Sequence, residues 1–137
     1  MTPRRLVWIL AAGLATPVAL YGLVWAYVYS PSFTERAHRL AFDAHAWRTN
    51  TADAGREWPT RLRMVDSLMD RRLLDGLTRA QVVELLGPAD GTAKWREWDL
   101  VYQLGPERNA LFRIDSEWLV IRLDARGAVT SYRLVAD

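Results

Sequence analysis

Between Arg5 and Glu35 the chain carries no charged side chain, and Leu6 to Tyr29 form an uncharged run of 24 residues. As a helix that run reaches roughly 36 Å, more than the roughly 30 Å of a bilayer's hydrocarbon core. It is long enough to span. Its ten Leu, Ile and Val residues contribute on the order of −3 to −6 kcal/mol to insertion, before Gly13, Pro17 and Gly22 subtract some. Trp8 lies near one end and Trp25, Tyr27 and Tyr29 near the other, where amphipathic rings suit the headgroup layer. Ser30-Pro31 stops the helix. A cleaved secretory signal has a shorter apolar core and a small-x-small cleavage site, which Ala26-Tyr27-Val28 does not supply. Residues 1–30 therefore read as an uncleaved transmembrane anchor in contact with the lipid bilayer.

Charge sets the orientation and excludes some partners. Arg4 and Arg5 abut the run on its N-terminal side, and the first basic residues after it are Arg36 and Arg39. The closer pair marks the cytoplasmic side, so the N-terminus is expected inside and the following domain outside. Once Arg4 and Arg5 are set aside, the rest of the chain holds 16 basic and 16 acidic groups. A neutral domain offers no phosphate-binding surface, so no nucleic acid is expected as a partner. The absence of cysteine removes disulfides, thiol nucleophiles, thiolate metal sites and lipidation through sulfur.

Residues 31–58 read as an amphipathic helix and a linker. Phe33, Ala37, Leu40, Ala41, Ala44 and Trp47 make a helical stripe, and the polar Thr49–Gly55 stretch has no periodicity. His38 and His45 lie on that helix without a placed carboxylate, and no metal site is expected of them. From 59 to 137 a folded domain is expected. Pro59 opens a helix with Leu62, Val65, Leu68, Met69 and Leu73 on its inner face, ending at Gly76. Thr78-Arg79-Ala80-Gln81 fits a capping box, and the short helix it starts closes at Gly87-Pro88.

The period then changes from helical to alternating. A strand is expected over Lys94–Leu104 with Trp98, Leu100, Tyr102 and Leu104 on one face. A second covers Trp118–Leu123, and a third, Val129–Val135, returns after the Asp124–Gly127 turn. The fold class is α+β: helices packed on a three-stranded antiparallel meander.

The run Gly76-Leu77-Thr78-Arg79-Ala80-Gln81-Val82-Val83-Glu84-Leu85-Leu86-Gly87-Pro88, followed by a strand with Trp98 and Tyr102 and a strand-turn-strand with Asp124 and Gly127, resembles the SmpA/OmlA (BamE-like) family. The resemblance covers roughly residues 69–135. It implies two helices on a three-stranded antiparallel sheet, residence in the bacterial envelope, and protein–protein contact without catalysis. Members of that family carry a lipid on an N-terminal cysteine; here a spanning helix stands in its place. That difference points to the inner membrane, with the C-terminal domain in the periplasm and envelope proteins as partners.

Chemistry is sparse. No Gly-x-Ser-x-Gly elbow surrounds any of the five serines, and Gly87-Pro88-Ala89-Asp90-Gly91 is no phosphate loop. Asp115 and Glu117 would share one face of an extended chain at roughly 6.5–7 Å, the spacing of an inverting glycosidase pair. Nothing nearby calls for a raised pKa, so no enzyme, catalytic residue or cofactor is expected. If Leu119, Ile121 and Leu123 face the helices, Trp118 and Val120 face outward, and Trp95 has the opposite parity to Trp98. Trp95, Trp118 and Val120 are therefore the expected interaction surface. The alternative function is a periplasmic inhibitor or ligand-binding domain released by signal cleavage.

Overall fold

The computed structural model describes residues 16–27, 35–108 and 114–137. The chain divides into two compact units, Met1–Thr34 and Glu35–Asp137. In the first, residues 16–27 form helix α1, about 18 Å long at 1.5 Å per residue. Its large apolar side chains are all open: Val18, Leu20, Tyr21, Leu23, Val24, Trp25 and Tyr27 are 48–71% exposed. Among the described residues no helix is long and apolar enough to cross a membrane. The remainder of the expected span, Leu6 to Ala15 and Val28 to Tyr29, and its Ser30-Pro31 stop lie outside the described residues.

The second unit contains α2 (Ala44–Thr49), a 3-10 turn (Thr51–Asp53), α3 (Thr60–Asp70), α4 (Arg79–Leu86), β1 (Leu100–Pro106), β2 (Ser116–Leu123) and β3 (Val129–Ala136). The strands form one antiparallel sheet in the order β1-β2-β3. Leu62, Val65 and Leu68 of α3 and Val82 and Leu86 of α4 meet Leu100, Tyr102, Leu104, Leu119 and Ile121 of the sheet. This is the α+β meander expected, with the main core on one sheet face.

Local chemistry explains most boundaries. The capping box forms as expected: the Gln81 N–H donates to the Thr78 hydroxyl, and the Thr78 N–H donates to Gln81 Oε1 at 2.9 Å. Gly87 at φ 83° closes α4, a conformation that favours glycine. α3 begins after Pro59, but its cap comes from outside, because the Asp53 carboxylate accepts from the Thr60 N–H at 3.0 Å and the Thr60 hydroxyl at 2.7 Å. The expected linker is thus part of the fold.

Three expectations are corrected. The single helix over Phe33–Trp47 is broken: one helical turn spans 35–38, residues 39–43 are not helical, and α2 starts afresh. Asp43 is extended, and its carboxylate accepts from the Ala46 N–H at 2.7 Å, capping a new helix. In between, the Leu40 N–H donates to the Arg63 carbonyl at 2.8 Å and the Phe42 N–H to the Ser67 hydroxyl at 3.0 Å. Bonds to α3 replace the helix's own. Trp47 is completely buried, and residues 35–58 belong to the same unit as 59–137.

The second correction concerns α3, which ends at Asp70 rather than Gly76; Arg72, at φ 52°, turns the chain first. The third concerns β1, which starts at Leu100 rather than Lys94. Residues 94–97 form a turn with Trp95 at φ 60° and a Trp98 N–H to Trp95 carbonyl bond of 2.9 Å. That turn resets the alternation. Trp98 leaves the Tyr102 face and packs with Val101, Trp118 and Val120 on the other.

Candidate interaction site

The residues with catalytic potential are not assembled. His38 stacks on Trp58 with ring centroids 4.3 Å apart, while His45 is exposed on α2. Among the described residues no group of three or more His, Cys, Asp or Glu could hold a metal ion. Asp115 is exposed and Glu117 is buried, so the two carboxylates do not face a common cleft.

Glu117 has a different partner. Arg108, just past β1, holds it with Nε 2.9 Å from Oε2 and Nη2 2.6 Å from Oε1. The same guanidinium donates through Nη1 to Asp66 of α3 and to Glu35, each at 3.0 Å. Arg39 adds a contact of 2.7 Å to Asp66. The Arg108 side chain is only 8% exposed. Burial works against its charge, but hydrogen bonds and charge from Glu117, then Asp66, outweigh that and hold its proton more tightly than in a free guanidinium.

Beside this ion cluster lies a cavity of about 240 Å³ lined by Glu35, Glu107, Arg108, Glu117, Leu134, Val135 and Ala136. Four carboxylates, Glu35, Asp66, Glu107 and Glu117, stand here against the guanidinia of Arg39 and Arg108. Among the described residues the local excess is two negative charges. Such a cavity suits a cationic group.

The outer sheet face is the expected interaction surface, and its parity is as expected while its exposure is not. Trp118 and Val120 point away from the helices, yet they are 8% and 0% exposed. The 94–98 turn folds over them, laying half-buried Trp95 and Trp98 against Val101, Trp118, Val120 and Val135. Arg122 and Arg133 in turn lie over the Trp98 ring at 4.8 and 5.0 Å. Trp95, Trp118 and Val120 thus form a second small core, which corrects the expectation of an open apolar face. Their burial leaves the indole N–H groups of Trp95, Trp98 and Trp118 without a hydrogen-bond partner among the described residues.

Two further features are structural. Arg61, buried on α3, pairs with Asp90 at 2.9 Å and lies between the Trp47 and Tyr102 rings at 5.6 and 5.7 Å. The Tyr102 hydroxyl donates to the Gly87 carbonyl at 2.9 Å. Together they tie α3, β1 and the α4 exit. A shallow groove of about 400 Å³ runs past Leu73, Leu77 and Leu85, flanked by Arg48, Gln81 and Glu84.

Sequence reasoning missed the Arg108 cluster because its members are far apart in the chain. One signal was present: Glu117 shares parity with Leu119 and Ile121, which marks a carboxylate on the core-facing side in need of a buried partner. No family model, no curated protein and no solved structure matches this chain.

Proposed function

We propose that this chain is a single-pass protein of the bacterial inner membrane, whose Glu35–Asp137 unit sits in the periplasm as a non-catalytic interaction or assembly module. The observation that carries the reading is the order of elements behind an uncharged run. Helices precede an antiparallel three-strand meander, which agrees with the SmpA/OmlA-like architecture implied by the residues from Gly76 to Pro88. The apolar side chains exposed along α1 support a lipid environment, since a contiguous apolar surface is rarely left to water. The site supports contact over catalysis: Glu35, Asp66 and Glu117 are held in ion pairs by Arg39 and Arg108, and among the described residues no nucleophile stands beside a base there.

Crosslinking in intact cells tests it. A photoreactive residue at exposed positions of the folded unit should trap envelope proteins, and the full-length chain should stay in the membrane pellet after carbonate washing. Release of the intact chain by carbonate would overturn the tether. Hydrolysis of envelope glycans by the purified protein, lost on Asp115→Asn with Glu117→Gln, would overturn the non-catalytic role. Recovery of a free form lacking the first thirty or so residues would favour a released periplasmic domain.

A further inference from the structure

The two edges of the sheet are not equally closed. At β1 the Asp90 N–H donates to the Val101 carbonyl at 2.8 Å, and the Asp90 carboxylate accepts from the Gln103 N–H at 2.7 Å. That edge is capped. At β3 only the start is covered, by the 2.8 Å bond from the Val129 N–H to the Leu77 carbonyl. Beyond it, Asp137 donates its N–H to the Ser116 carbonyl of β2. Alternation along an antiparallel ladder turns Val135 and Arg133 the same way and points the backbone groups of Tyr132, Leu134 and Ala136 outward. Among the described residues none of these three has a backbone partner on that side. An unpaired edge of this kind is a template for another extended chain.

The cavity beside Arg108 adjoins that open stretch, since Leu134, Val135 and Ala136 line it together with Glu35, Glu107 and Glu117. Leu134 and Ala136 are opposite Leu119 and Glu117 in the ladder, so their side chains mark the helix-facing side. A strand added to β3 would send alternate side chains to that same side. The negative excess there selects a cation on a long stem.

We infer that the open edge of β3 binds an extended segment of a partner protein by strand addition, with a Lys or Arg side chain of that segment seated among Glu35, Glu107 and Glu117. This rests on the reading of the folded unit as an interaction module and specifies the chemistry of its partner. Main-chain bonds give affinity at such an edge, and the pocket gives selectivity.

The test uses the full chain in neutral detergent micelles and two capped peptides of alternating Thr and Val, one with a central Lys and one with Glu in its place. The Lys peptide should bind saturably and slow amide exchange at Tyr132, Leu134 and Ala136, and the Glu peptide should bind at least about tenfold more weakly. Leu134→Pro removes an outward N–H without breaking the β2–β3 ladder, and it should weaken the Lys peptide by about tenfold. Glu107→Lys, at a half-buried lining position, cancels the local excess and should abolish the peptide preference, with near-ultraviolet circular dichroism confirming that each variant is folded. For the wild-type chain, no saturable binding up to about 1 mM, equal affinity for both peptides, or protection falling on β1 would overturn the proposal, as would a preference left unchanged by Glu107→Lys. So would protection of the same three amides by concentration alone, which would make the occupant a second copy of this chain. Failure here combined with specific crosslinks in cells leaves the module reading standing; peptide binding combined with carbonate release does the reverse for the tether.

Discussion

Replacing Arg108 by Met is the sharpest test of the ion cluster. The wild-type guanidinium makes two close bonds to Glu117 and bonds of 3.0 Å to Asp66 and Glu35. Its loss does not affect the three acids equally, because Arg39 remains 2.7 Å from Asp66 and 3.7 Å from Glu35. Glu117, with its side chain 10% exposed, keeps among the described residues only the 3.2 Å bond from the backbone N–H of residue 108. It becomes a buried and nearly unpaired carboxylate. Breaking one partner of a buried pair costs about 3–5 kcal/mol, a large share of the roughly 5–15 kcal/mol that holds a typical domain together. Urea unfolding of the full chain, followed by tryptophan fluorescence, should show that loss for Arg108→Met. The double variant Arg108→Met with Glu117→Met should recover most of it, because a buried ion pair replaced by apolar groups of similar size is often neutral. A single-variant loss under about 1 kcal/mol would mean that water screens the cluster. A double variant no more stable than the single would place the cost in packing rather than in the orphaned charge.

The remaining predictions concern the two cores and one close approach. Trp118→Ala should cost about 3 kcal/mol by thermal or urea unfolding, near the low end for a large aromatic truncation. The reason is that it also removes a buried donor that has no acceptor; an unchanged midpoint would mean the ring faces water. Burial is the main cause that pushes the Tyr102 hydroxyl up to about 12, with Arg61 pulling it down and Asp90 adding to the rise. Because its folded value exceeds the unfolded value near 10, the native state keeps a proton that the unfolded chain loses. The stability this group contributes should therefore be constant below about pH 10 and fall by about 3 kcal/mol between 10 and 12, a fall that Tyr102→Phe should reduce. Tyr132, raised by burial and by its bond to Asp75, should contribute in the same direction. Gly105→Ala should cost about 2 kcal/mol or more, since a Cβ there would lie 2.4 Å from Pro59 Cγ at a φ of 145°; a neutral result would mean that the 53–60 segment yields easily.

What the sequence disclosed and what it concealed divide along the range of the interactions. The capping box at Thr78 and Gln81, the glycine stop at Gly87 and the meander order all rest on residues within a few positions of one another, and each is legible by eye. The broken first helix is different. Of its expected stripe Leu40 and Trp47 face the core, but Ala37 and Ala41 are exposed while Phe42 and Ala46, off the stripe, pack inside, because the backbone between residues 39 and 43 bonds to α3 instead of to itself. A helical period selects the inward side chains only where each N–H finds a carbonyl of its own helix.

The error at β1 has the same root and a larger consequence. Alternation counted back from Tyr102 puts Trp98 in the main core, and that count holds only while the chain stays extended. One left-handed residue, Trp95, ends it. A bulky side chain at positive φ is strained by about 1–3 kcal/mol, and it persists only where surrounding contacts fix it. Here those contacts are the Trp98, Val101, Trp118 and Val120 packing and the ion pair from Lys94 to Asp137 at the chain's last residue. The apolar face that parity assigned to a partner is therefore covered by the chain's own turn. What remains open on this sheet is not a face but an edge, at Tyr132, Leu134 and Ala136, and no side-chain pattern could have announced it because the groups left unpaired there belong to the backbone.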